Sequence, residues 1–170
     1  MGDPSFLPMK VTGLTIDPFS NMPIVILKNE EGNIAVPIWI GLIEAAAIAT
    51  ELEHIQFSRP MTHDLFHTTL DTFNIRLSKI EIHDLADNTF FARIVMEASD
   101  GKSTTLDSRP SDALALALRT KSPILVSREV IEKCRTIDMA KRYDENSSEE
   151  QTWAEILENL SPEDFGKYKM

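Results

Sequence analysis

Two stretches rich in β-branched residues, each handing over to a helical pattern, limit what this chain can fold into more than any other feature. In the first, "MKVTGLTIDP", "MPIVILK" and "IAVPIWI" read as strands. The last two are separated by "NEEGN", whose Asn and Gly supply turn conformations, so an antiparallel hairpin is expected. Pro37 has no N–H to donate and belongs at a sheet edge or a strand end. From Gly41 the text changes to "GLIEAAAIATELEHI", good helix formers with Leu42, Ile48, Leu52 and Ile55 on an approximate stripe and alanines that let another backbone come close. A second helix is predicted from about Thr62 to Thr72, with Thr62 as its N-cap and Leu65, Leu70 and Phe73 facing inward. The second stretch repeats the plan. "IRLSKIEIHDL" and "TFFARIVMEA" are strands joined by "ADN", "KSTTLD" is a short third strand, and "PSDALALALRT" is a helix. "PILVS" reads as a buried strand and "REVIEKC" as a short helix opened by Ser127. Strands then helix, twice over, predict an α+β fold: a mostly antiparallel or mixed β-sheet with helices packed on it, in a single domain.

A chain of 170 residues, 42% hydrophobic and 26% charged, can fill one such domain and leave a tail. The expected divisions are a loose leader over residues 1–8, the α+β domain over 9–137, and an acidic linker with a short amphipathic helix over 138–170. Trp153, Ile156, Leu157 and Leu160 give that tail helix an apolar side suited to its own domain, a dimer mate or a protein partner. The lone Cys134 cannot form an internal disulfide and no signal-peptide pattern opens the chain, which points to a reducing cytoplasmic setting. The apolar run in "IWIGLIEAAAIAT" is broken by Glu44 and falls short of the ~20 residues of a membrane helix, so no membrane association is expected. The net charge of -10 disfavours a passive nucleic-acid binder, because such binding depends on Lys and Arg neutralising phosphates. A metal-dependent nuclease survives that objection, since cations can be brought to an acidic site.

Chemistry is concentrated in a phrase used twice, "RPMTHDL" at 59–65 and "RPSDALAL" at 109–116, each just ahead of a helical pattern. In both, proline fixes the approach, a hydroxyl residue is available to cap, and Asp64 or Asp112 lies in the first turn, where the helix dipole favours negative charge. One reading is structural: Arg59 and Arg109 with Asp64, Asp107 and Asp112 form a crossed network that clamps the two helix starts. The other is functional: arginine forks match phosphate, helix starts bind anions, and clustered carboxylates can hold Mg²⁺ or Mn²⁺ for phosphodiester hydrolysis. Glu44, in an otherwise apolar helix, needs a partner, and Arg59 or Arg109 is the natural candidate.

The pair His63 and His67 shares a helix face and mimics a metalloprotease spacing, with Asp64 in place of Glu, but no third ligand accompanies it. Trp39 in "PIWIG" is either a stacking platform for a base or, more commonly for a strand-to-helix junction, a core residue. Gly-rich phosphate loops, nucleophile elbows and Cys-x-x-Cys pairs are missing, and Cys134 reads as an idle thiol.

Taken in order, "VPIWIGLIEAAAIA", "RPMTHDL", "DNTFFARI" and "DSRPSDALALALR" resemble the bifunctional nuclease domain family, formerly a domain of unknown function found across bacteria and in plants. The resemblance covers about Met9 to Lys133 and implies a self-associating α+β domain, expected here as a homodimer, with cleavage of RNA and DNA as the activity that names the family. The positions that match are Glu44, Arg59, Thr62, His63, Asp64, Asp107, Arg109, Ser111, Asp112 and Arg119. On that basis the expected function is hydrolysis of phosphodiester bonds in RNA or DNA with Mg²⁺ or Mn²⁺. His63, Asp64, Asp112 and Glu44 form the expected catalytic set, with His63 as acid or base. Arg59, Arg109, Ser111, Thr62 and Arg119 are expected to hold substrate, and Asp64, Asp107 and Asp112 to offer oxygens to a metal. The competing expectation is a non-enzymatic interaction or regulatory domain whose arginine and aspartate clusters are structural and whose acidic tail recruits a protein.

Overall fold

The structure, a computed structural model, describes residue 3 and residues 5–136. Strands β1 (Phe6–Ile16), β2 (Pro23–Asn29) and β3 (Ala35–Trp39) form one antiparallel meander, and β4 (Ile75–Ala86), β5 (Thr89–Ala98) and β6 (Ser103–Ser108) form a second. These are the two β-rich stretches of the sequence. A short strand, β7 (Ile124–Ser127), lies between them, antiparallel to β1 and parallel to β4, so the sheet runs β3-β2-β1-β7-β4-β5-β6. The sheet is therefore mixed, as the alternation of strand blocks and helices predicts. This strand has a neighbour on each edge and buries Ile124, Val126 and Ser127, with Leu125 half-buried.

Turn chemistry agrees with these pairings. The β4–β5 hairpin closes on Asp87 and Asn88, both with positive φ (49° and 58°), the conformation whose twist matches a two-residue hairpin turn. Pro37 sits opposite Ile26 in β3, an edge strand, where a missing donor is tolerated. Register shifts in β1 between Val11 and Gly13, and in β4 between Leu77 and Lys79 and again between Ile82 and Asp84, add local bends.

Four helices complete the domain: α1 (Leu42–Leu52), α2 (Thr62–Thr72), α3 (Pro110–Thr120) and α4 (Arg128–Thr136). Helices α1 and α3 pack on one another, and both bury alanines (Ala45 and Ala49; Ala113 and Ala117), which lets the two backbones approach closely. The core joins these to Ile48, Leu114 and the sheet residues Leu27, Ile38, Ile80, Ile82 and Val126. Ser127 Oγ accepts from the Val130 amide at 3.2 Å and so opens α4 as expected. Cys134 is buried in α4, and burial pushes its thiol up to about 11, the behaviour of an idle sulfur.

Three expectations need correction. The fold starts before Met9, because Phe6 to Met9 already pair with β7. Thr62 is the first helical residue of α2 rather than its cap; the N-cap is Met61, whose amide donates to Asp64 Oδ2 at 2.9 Å. Finally, α2 buries Leu70 alone, leaving Leu65 at 58% and Phe73 at 68% exposure. At about 100° per residue, Leu65 lies about 140° around the helix from Leu70. Phe73 is the C-cap, beyond the last helical residue. The helix expected around Trp153 to Leu160, with the rest of 137–170, lies outside the described residues.

Candidate functional site

The two repeated phrases do not start their helices in the same phase. Helix α3 begins on Pro110 with Arg109 as N-cap, whereas α2 begins two residues after Pro60. Because the second phrase also has two fewer residues between proline and aspartate, Asp64 and Asp112 both arrive at the third helical position. A carboxylate there reaches back toward the N-cap and favours the positive end of the helix dipole. Asp64 does so through the Met61 amide, Asp112 through the Arg109 side chain.

Each aspartate then reaches a second helix. Asp112 Oδ1 lies 3.1 Å from His63 Nε2 on α2, and Asp64 Oδ1 accepts from Arg119 Nε at 2.6 Å near the end of α3. The first turn of α2 thus straddles α3. Arg109 adds α1: its Nη1 donates to Glu44 Oε1 at 2.6 Å, while Nε and Nη2 donate to Asp112 at 2.7 and 3.2 Å. Of the two arginines expected to partner Glu44, Arg109 does so. Gly41 makes room for this contact, since a Cβ there would fall on Glu44 Oε2.

The electrostatics follow the geometry. The His63 hydrogen bond, seconded by Arg109 and opposed by partial burial, brings the Asp112 carboxyl down to about 2. Burial pushes Asp64 up, but the Arg119 hydrogen bond and the Met61 amide outweigh it and hold that carboxyl below its ordinary value. An ionised Asp112 can only accept, so in this contact the proton sits on His63 Nε2, which donates. Arg109, 64% exposed, uses three of the five N–H donors of a guanidinium on carboxylates and keeps two among the described residues.

The remaining residues singled out by sequence fall in different places. Arg119 is buried, and besides Asp64 it donates to the carbonyls of Ala47 (2.9 Å) and Ala115 (3.0 Å), which makes it a clamp joining three helices. Arg59 is exposed between α1 and α2 and forms no ion pair among the described residues. Thr62 is exposed on α2, and Ser111 is buried in the first turn of α3. Asp107 is exposed on β6 opposite Arg93, on the sheet face away from the core residues Ala92 and Ile94. Arg93 in turn ion-pairs with the buried Glu81, a contact sequence reasoning did not foresee. His67 turns to Asp71 at 3.5 Å while His63 turns to Asp112, so the two histidines do not share a ligand.

A divalent metal would want several free oxygens. Here Glu44 and Asp112 are held by Arg109 and Asp64 by Arg119, and Asp107 lies elsewhere. Among the described residues no group of three metal-ligating side chains converges. The candidate carboxylates Glu44, Asp64, Asp107 and Asp112, as placed, do not fit a metal.

Beside Arg109 opens a cleft of about 280 Å³. Its walls come from opposite halves of the sheet: Ile38 to Ile40 at the end of β3, and Asn88, Thr89 and Phe90 at the β4–β5 turn, with Glu44, Arg109 and Ser111 between them. From sequence alone "ADN" and the following strand read as a hairpin. Only the presence of Asn88 to Phe90 in one of the quoted motifs hinted at more.

Comparison with known proteins bears on this site. The sequence model described as the bifunctional nuclease domain matches residues 25–138. An uncharacterized protein of Mycobacterium tuberculosis (strain H37Rv) is 32% identical over 162 residues, covering 92% of this chain and 96% of its own. Bifunctional nuclease 1 of Arabidopsis thaliana is 24% identical over 109 residues, covering 62% of this chain and 34% of its own. Bifunctional nuclease 2 of the same plant is 25% identical over 122 residues, with 69% and 37% covered. The chain thus spans about a third of the length of these plant relatives.

Proposed function

The chain belongs to the bifunctional nuclease domain family, and from that premise we propose that it hydrolyses phosphodiester bonds in RNA or DNA at the His63–Asp112 pair beside Arg109. The observation that carries this reading is the 3.1 Å contact from His63 Nε2 to Asp112 Oδ1, next to an arginine with donors to spare. Asp112 fixes the tautomer and orientation of His63. Nδ1 then takes the proton of the attacking hydroxyl, a water or in RNA the 2′-hydroxyl, as phosphorus is attacked. The P–O bond to the adjoining nucleotide breaks, its departing oxygen takes a proton back from the imidazolium, and where the 2′-hydroxyl attacked, a water then opens the cyclic phosphate. The two remaining Arg109 N–H groups hold the phosphate and balance the charge that grows on its oxygens. Glu44 keeps the Arg109 guanidinium in place, and Asp64 with Arg119 keeps α2 against α3. No step needs a metal.

The test is cleavage of labelled single-stranded RNA and DNA by highly purified protein in Mg²⁺, Mn²⁺ or EDTA, beside His63→Ala and Asp112→Ala proteins of confirmed fold. We expect the parent to cleave in EDTA and either variant to lose roughly 10²–10⁴ of its rate, the usual contribution of a positioned acid or base. Activity only with added metal would overturn the metal-free route. Folded variants as active as the parent would remove the site from this pair.

A second reading is favoured by one fact: each of Glu44, Asp64 and Asp112 is already ion-paired. On that reading the cluster only locks α1, α2 and α3 together, and the same substitutions lower stability without any catalytic effect to measure.

Self-association belongs to the same reading. It is supported by Met61, Leu65 and Phe66, which α2 leaves exposed beside the site. Sedimentation should find the parent dimeric and Leu65→Asp monomeric; a monomeric parent would remove the idea. A protein partner for the acidic stretch 138–170 concerns residues outside those described. Among the described residues no helix is long and apolar enough to cross a membrane.

A further inference from the structure

We infer that the cleft beside Arg109 receives one unpaired nucleobase, which makes the substrate of the proposed nuclease single-stranded; the inference rests on that reading and names its substrate class. The cleft matches a nucleotide part by part. Trp39 and Phe90 are among its lining residues, which gives it aromatic surface for a flat ring. The Trp39 indole is fixed, because its Nε1 donates to the buried Asp17 Oδ2 at 3.2 Å. At the rim, the exposed Asn88 carries a side-chain amide with no hydrogen bond among the described residues, held outward on a turn with φ of 58°. An amide can both donate to and accept from the edge of a base. Arg109 borders the same space and has two N–H groups not used on carboxylates, so a base in the cleft would leave its phosphate within reach of that arginine.

Charge points the same way. Duplex binding draws its affinity from phosphates neutralised by Lys and Arg, and a chain of net charge -10 is poor at that. Stacking on aromatic side chains is insensitive to net charge and needs a base that is free to leave its neighbours, which a duplex allows only after unpairing. A subsite of this kind gives an acidic protein a hold on single strands that does not depend on a basic surface.

The experiment measures equilibrium binding of the full chain to a short single-stranded oligonucleotide, to the same strand with one abasic residue at each position in turn, and to the matching duplex. One abasic position should weaken binding roughly tenfold, as should pairing into the duplex. Phe90→Ala should weaken the intact strand by a similar factor and the abasic strand little further. Asn88→Gly, which keeps the positive φ, should level the preference among the four bases. Equal affinity for intact and abasic strands would overturn the inference. So would intact-strand binding and base preference that neither variant alters. Binding is read without turnover, so the two proposals fail separately. Base-dependent binding without cleavage keeps the subsite and removes the nuclease reading; cleavage indifferent to the abasic residue does the reverse.

Discussion

Asp112 ties the His63 contact to acid stability. Its carboxyl titrates at about 2 in the folded chain against an ordinary 3.8, so on acidification the unfolded chain takes up that proton first. The contribution is complete above about pH 4 and disappears as pH falls toward 2, and with partial exposure its size is about 1–2 kcal/mol. Urea midpoints measured across that window should fall for the parent and stay flatter for Asp112→Asn; parallel curves would mean that the His63 and Arg109 contacts do not persist in solution. Gly41 offers a second handle. Its φ of -74° suits any residue, so what it provides is space for the Glu44 carboxylate. Gly41→Ala should therefore leave the fold intact while pushing Glu44 off Arg109, seen as an unchanged circular dichroism spectrum with cleavage reduced about tenfold. An unchanged rate would make the Glu44–Arg109 contact dispensable.

Among the elements, α2 is held by two side chains of another helix. It buries only Leu70, and its first turn is held by Arg119 and Asp112. Arg119→Lys keeps the charge but cannot reproduce a planar fork that meets Asp64 and the carbonyls of Ala47 and Ala115 together. Denaturant unfolding should show a loss of about 2–3 kcal/mol, at or just below the range for breaking a buried pair, because Asp64 is part exposed. A loss under about 0.5 kcal/mol would mean that packing alone holds α2. This contact also shows where sequence reasoning stops. Periodicity and turn residues located the hairpins and helices because those signals are local. Arg119 looked like a substrate ligand because nothing local reveals that packing brings the Ala47 carbonyl to it. Matching phrases suggested matching roles for Arg59 and Arg109, yet α2 starts two residues beyond its proline and leaves Arg59 in the loop. Glu44 was legible as a carboxylate in need of an arginine. The Asn88 to Phe90 wall was not, since it becomes a wall only where the two halves of the sheet meet across the cleft.

For the whole molecule, the central strand comes late in the chain. Ile124 to Ser127 follow both meanders in the chain yet lie between them in the sheet, pairing Phe6 with Ser127 across nearly the whole described length. Contacts so distant in sequence form slowly, because a large loop must close before they give anything back. A chain ending at Lys121 should accordingly unfold without cooperativity and aggregate, while one ending at Thr136 should show a single urea transition; a cooperative transition in the shorter chain would mean that the meanders fold without their bridge. During synthesis the backbone groups of β1 and β4 stay unpaired on the sides that β7 will occupy until residue 127 has left the ribosome. A nascent chain of this design is therefore most open to wrong strand pairing, with another copy or with itself, just before its site can assemble.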